Sequence, residues 1–122
     1  MSFERLSEFL GHIAHAVQAI ESFTEGMRFE EFRADPKTVA AVERMLLTIS
    51  EAAKRMGPGV ETVCPGQPWH KVRGMGNWLR HQYDRIDLQS MWDTVTDDLP
   101  PLKAAVLLAL AREKTFDPPE PE

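Results

Sequence analysis

Cysteine is almost missing from this chain of 122 residues. The single cysteine, Cys64, cannot close an internal disulfide and brings no second or third ligand for a metal site. Long apolar runs are missing too. The longest, AAVLLALA at 104–111, is far short of the ~20 residues that cross a bilayer as a helix. The opening residues, MSFERLSEFLGHIAHAV, interrupt their apolar positions with charges and histidines, so they lack the core of a signal peptide. Positive charge is not in excess: 14 Lys and Arg face 19 Asp and Glu, for a net charge of −5. That balance excludes broad, non-specific nucleic-acid binding. No segment alternates apolar and polar residues as a half-buried strand does. Together these absences imply a cytoplasmic protein without membrane anchor, metal or cofactor.

What is present is helical. Hydrophobic residues make up 43% and charged residues 27%, ordinary for one soluble domain with a single core. A first helix is predicted over Phe3–Phe23, with Leu6, Phe9, Leu10, Ile13, Val17 and Ile20 as its buried stripe. Thr24-Glu25-Gly26 breaks it, and MRFEEF adds a short helical turn. Asp35 caps a second long helix with Pro36 at its first position. In it Val42, Leu46, Ile49, Ala53 and Met56 form a seam for a neighbour. Gly57-Pro58-Gly59 stops that helix, and residues 57–68 read as a loop. A helix follows over Pro68–Arg85. Asp87 caps another that ends near Asp97, with Ile86 and Met91 placed as a hydrophobic staple. Pro100-Pro101 opens the last helix, which runs to Lys114 and is apolar on nearly all sides, as if a second subunit covered part of it. The architecture expected is an all-α bundle of four main helices plus short pieces over residues 1–116. An acidic, proline-rich tail at 117–122 is expected to be disordered.

One window departs from the acidic average. Between His70 and Arg85, Lys71, Arg73, Arg80 and Arg85 face Asp84 alone, so the window carries +3 and the rest of the chain −8. At about 100° per residue, Arg73, Asn77 and His81 line one helix face. Arg80 and Asp84 share that face, and Tyr83 lies toward its edge. Two guanidinium groups can hold a phosphate, and an imidazole can move a proton near neutral pH. RNA cleavage by the RNA's own 2′-hydroxyl needs these parts and no metal. Gly74 and Gly76 each cost roughly 1 kcal/mol relative to alanine in a helix. They are expected where a second backbone or a ligand comes close, as in a symmetric crossing of two copies. His12, His15 and His70 read as ordinary surface or core histidines. Trp69, Trp78 and Trp92 read as core or interface anchors.

The stretches FTEGMRFEEFRADPKTVAAVER, ISEAAKRM and PWHKVRGMGNWLRHQYDRIDLQSMWDTVTDDLPPLK carry a resemblance. Over nearly its whole length the chain resembles the HepT-like family of the HEPN superfamily of helical toxins and ribonucleases. The resemblance implies an all-α homodimer with metal-independent ribonuclease sites in a cleft at the dimer interface. The family's usual signature is an arginine, four to six residues, a histidine, any residue and a tyrosine, commonly with an asparagine after the arginine. Carried over, Asn77 matches the asparagine, His81 the catalytic histidine and Tyr83 the tyrosine. The arginine departs from the pattern: its usual position is Gly76 here. Arg73, one turn earlier, and Arg80, beside the histidine, are the alternative phosphate clamps. Relatives are commonly encoded beside a minimal nucleotidyltransferase antitoxin. It adds AMP to the signature tyrosine and silences the toxin, which implies Tyr83 as the acceptor. The reading from another class is a non-catalytic helical dimer that binds a partner protein or a nucleotide.

Overall fold

The computed structural model describes residues 2–81 and 87–115. Four long helices carry the fold: α1 (Phe3–Thr24), α3 (Pro36–Met56), α5 (Trp69–His81) and α7 (Leu99–Thr115). Three short ones connect them: α2 (Phe29–Arg33), α4 (Gly59–Val63) and α6 (Leu88–Asp93). The all-α bundle expected from periodicity is borne out, with no strand among the described residues. The acidic tail, the expected staple residue Ile86 and the end of the Pro68–Arg85 helix beyond His81 lie outside the described residues.

Helix α3 is the centre. It packs against α1 on one side and α5 on another, while α7 closes over α1. The six stripe residues of α1 and the five seam residues of α3 are all buried, so the sequence pattern names the core correctly. Each such side chain, once buried, contributes roughly 1.5–3 kcal/mol. Asp35 starts α3 as expected. Its carboxylate accepts from the Thr38 N–H at 3.1 Å and the Thr38 hydroxyl at 2.8 Å. Asp87 starts α6 likewise, accepting from the N–H groups of Gln89 at 3.1 Å and Ser90 at 3.2 Å. These bonds hold both carboxyls below their ordinary range, the side-chain hydroxyl of Thr38 or Ser90 contributing most.

Two connections differ from expectation. The 57–68 segment is not all loop, because α4 forms within it. Gly57 ends α3 at a φ of 59°, a left-handed conformation that favours glycine, and its N–H reaches back to Ala53 and Lys54. Pro58 then starts a new turn that buries Val60 and, just beyond it, Cys64. The Gly-Pro-Gly that reads as a stop is also a start.

The second difference lies at 94–98. The sequence predicts a break before Pro100, yet α6 runs into α7 through a π-helical turn, Thr94–Asp98. Prolines at 100 and 101 have no N–H, and their rings crowd the carbonyls one turn back. Widening that turn makes room, and the Leu99 N–H bonds to Thr94 O, five residues back. The rod therefore continues without a loop.

The tryptophans anchor the core, as the sequence suggests. Trp69 is buried and donates from Nε1 to the Cys64 carbonyl at 2.7 Å. Trp92 packs on Phe32 with ring centroids 5.0 Å apart. Burial pushes the Cys64 thiol up, which makes it a poor nucleophile.

Candidate active site

Helix α5 presents three different sides. Its inner side, with Gly76 and Leu79 buried, lies against the core and α3. A second side, with Gly74, Met75 and Trp78, borders an open groove of about 700 Å³ whose far wall is α6, the π turn and the start of α7. A third side carries Arg73 and the exposed Asn77. The α5 backbone stays helical through residues 80 and 81, so Arg73, Asn77 and His81 keep the i, i+4, i+8 relation. Tyr83 and Asp84 lie outside the described residues.

Arg73 is not a free cation. One oxygen of Glu61, Oε1, accepts from its Nη1 at 3.1 Å and also from Nη2. The arginine side chain is only 23% exposed and the glutamate 54%. This partner escapes sequence reading because Glu61 sits in the stretch that reads as a loop. The available signal is Val60 and Val63 at i, i+3 after Pro58, a minimal helical turn that aims Glu61 outward.

Gly76 answers for the glycine pair, and the answer lies within one chain. The Ser50 hydroxyl on α3 donates to the Arg73 carbonyl at 2.8 Å and accepts from the Gly76 N–H at 2.9 Å. Ser50 is the sole buried polar residue among those described, at 1% exposure, and both bonds satisfy it. A Cβ at position 76 would lie 2.9 Å from Ser50 Oγ and 3.4 Å from Ser50 Cβ. The expected crossing between two copies therefore does not use Gly76, which is consumed by its own α3. Gly74 differs: a Cβ there would meet nothing within 4 Å.

Comparison with known proteins fits this helix. The family model "Ribonuclease HepT-like" matches residues 13–108, from α1 into α7. This chain belongs to the ribonuclease HepT-like family. It is 38% identical over 96 residues to "Probable ribonuclease HepT" of Thermococcus cleftensis, covering 79% of this chain and 87% of that protein. It is 29% identical over 106 residues to "Putative RNase TTE0752" of Caldanaerobacter subterraneus subsp. tengcongensis, covering 87% and 95%. No solved structure matches the chain.

For this HepT-like chain, the glycine at position 76 acquires a physical meaning. A residue larger than glycine there would displace the Ser50 hydroxyl that bridges the two helices. Ser50 and Lys54, one turn apart on α3, are the residues beside α5 that the sequence alone does not single out. Their spacing, i and i+4, marks a common face of α3, but only the packing tells which helix that face meets.

Among the described residues, no three His, Cys, Asp or Glu side chains gather as a metal site. Among the same residues, no helix is long and apolar enough to cross a membrane.

Proposed function

We propose that this HepT-like protein is a metal-independent endoribonuclease, the toxin of a toxin–antitoxin pair, acting in the cytoplasm as a homodimer. The family match over residues 13–108 carries the reading. In the proposed reaction His81 takes the proton of an RNA 2′-hydroxyl. The 2′-oxygen attacks the adjacent phosphorus, the bond to the 5′-oxygen breaks, and the leaving oxygen takes up a proton. The products are a 2′,3′-cyclic phosphate and a 5′-hydroxyl. Arg80 holds the phosphate, and Asn77, exposed on the same helix, orients it. Arg73 joins this clamp when it exchanges Glu61 for the phosphate, since one carboxylate oxygen now holds both of its terminal nitrogens. Purified protein should cut single-stranded RNA in the presence of EDTA and leave cyclic phosphate ends. Cleavage that stops with EDTA and returns with magnesium would sink the metal-independent reading.

The homodimer accounts for the exposed apolar surface of α7, where Leu107 is 41% and Leu108 53% exposed. A partner nucleotidyltransferase neutralises the toxin by adding AMP to Tyr83, the chain's single tyrosine. The phenol oxygen attacks the α-phosphate of ATP and pyrophosphate leaves. Each AMP brings about one negative charge beside the arginines that would otherwise meet RNA. After incubation with that enzyme, ATP and magnesium, the wild type should gain the mass of AMP and stop cutting. Tyr83→Phe should gain no mass and keep cutting. Full modification of the phenylalanine variant would move the acceptor elsewhere. Native mass spectrometry of the same samples should show dimers, and a monomer at micromolar concentration would remove the shared cleft.

One observation favours the other reading, a non-catalytic helical dimer that binds a partner or nucleotide. Arg73, the arginine one turn before position 76, is held by Glu61. A wild type that cuts no RNA would select it.

A further inference from the structure

We propose that Lys54, on α3, supplies the phosphate-holding cation on the side of α5 where position 76 has no side chain. The inference rests on the ribonuclease reading and adds a residue from a different helix.

The geometry starts from Ser50. Its hydroxyl draws α5 against α3 at Gly76, and the missing side chain leaves a notch in α5. Lys54 follows Ser50 by one helical turn, and its Nζ lies 3.7 Å from the point a Cβ of residue 76 would occupy. The ammonium thus stands over α5 at the notch. Any larger residue at 76 would take that space. Position 80 is one turn further along α5, a rise of about 6 Å, so Lys54 and position 80 bracket one stretch of helix.

Neighbouring cations make the contrast. Arg55 follows Lys54 directly but turns to Glu51 on its own helix, at 3.7 Å. Arg73 is tied to Glu61. Lys54 is half-buried and meets no carboxylate among the described residues. No described acid lies against its charge. A half-buried ammonium on a flexible stem, with three donors to offer, suits a phosphodiester oxygen. Partial desolvation strengthens that attraction relative to a fully solvated lysine.

The test uses the full chain and two probes: a single-stranded RNA, and the same sequence fully 2′-O-methylated, which blocks the attacking hydroxyl. Lys54→Met keeps the stem and removes the charge, and Lys54→Arg keeps the charge. With the methylated probe, Lys54→Met should bind about tenfold more weakly at low salt. Its plot of log affinity against log salt should flatten by about 0.7 for each single-strand phosphate that the variant no longer neutralises. Single-turnover cleavage should fall in parallel, and Lys54→Arg should recover most of both. Circular dichroism should show both variants folded. If Lys54→Met binds with the wild-type salt slope and cuts at the wild-type rate, the assignment of Lys54 is overturned and the ribonuclease reading stands. If the wild type binds with a Lys54-dependent slope but never cuts, Lys54 stands and the ribonuclease reading falls. A wild type that neither binds nor cuts overturns both.

Discussion

His81→Ala should cut RNA at least ~100-fold more slowly than the wild type, while its melting transition stays in place. Proton transfer by a positioned side chain contributes typically ~10²–10⁴-fold, and each factor of ten corresponds to about 1.4 kcal/mol of barrier. An alanine can neither take the 2′-hydroxyl proton nor return one to the leaving oxygen. Binding should survive, because the arginines and Lys54 are untouched, so the 2′-O-methylated probe should bind His81→Ala as it binds the wild type. Stability should survive because Leu79, 1% exposed, is the buried anchor of that turn of α5. In cells, the wild type expressed alone should arrest growth and degrade RNA, and His81→Ala should do neither. An alanine variant that cuts at the wild-type rate would remove His81 from the chemistry and leave the fold assignment intact.

Alanine at Gly76 and alanine at Gly74 should shift stability in opposite directions. Both changes improve helix propensity by roughly 1 kcal/mol. At Gly74 nothing lies within 4 Å of the new Cβ, so Gly74→Ala should stabilise the folded chain by about 0.5–1 kcal/mol. At Gly76 the new Cβ meets Ser50 Oγ at 2.9 Å and Ser50 Cβ at 3.4 Å. Oγ can swing aside about χ1 only by giving up its two bonds, and Cβ moves only with its backbone. Serine is short, and its hydroxyl already bridges the Arg73 carbonyl and the Gly76 N–H. Relief comes from turning the Ser50 hydroxyl off its partners or from shifting α3 against α5, and either breaks the bridge between the two helices. Overpacking costs ~1–3 kcal/mol and an unsatisfied buried group ~1–3 kcal/mol more, less the ~1 kcal/mol gain in propensity, so the net loss should be about 1–5 kcal/mol. Gly76→Arg should be worse still, because a longer side chain needs more of the space that Ser50 and Lys54 fill. Urea denaturation of Gly74→Ala, Gly76→Ala, Ser50→Ala and the double variant Ser50→Ala/Gly76→Ala decides the matter. The double variant should be less impaired than the separate losses predict, because the 2.9 Å clash disappears. Equal shifts for the two glycine variants would show that α3 does not hold α5 as described.

The sequence by itself determined the helices and their buried faces. Apolar spacing is a property of the chain: Ile13, Val17 and Ile20 on α1, and Val42, Leu46 and Ile49 on α3, must point one way once the backbone is helical. Capping is equally local, so Asp35 and Asp87 were legible as helix starts. The family was legible as well, through the order and spacing of α5 and the segments around it. Local signals misled where one residue type serves two purposes. Gly57-Pro58-Gly59 ends one helix and begins another. Pro100-Pro101 opens α7 and also widens the turn before it, so that α6 runs on into α7. Leu99 and Leu102 are each only 3% exposed and hold that rod against the core.

Only the tertiary structure decided what the glycines and cations are for. Residues 50, 54, 61, 73 and 76 stand on three helices, and no periodicity relates a position on one helix to a position on another. Helix packing set Ser50 against Gly76, gave Arg73 to Glu61 and left Lys54 over the notch. The sequence could show that glycine at 76 calls for a close neighbour, since a missing Cβ signals close approach. It could not show that the neighbour is a serine of the same chain, because that depends on how α3 and α5 turn their faces to each other when the core closes.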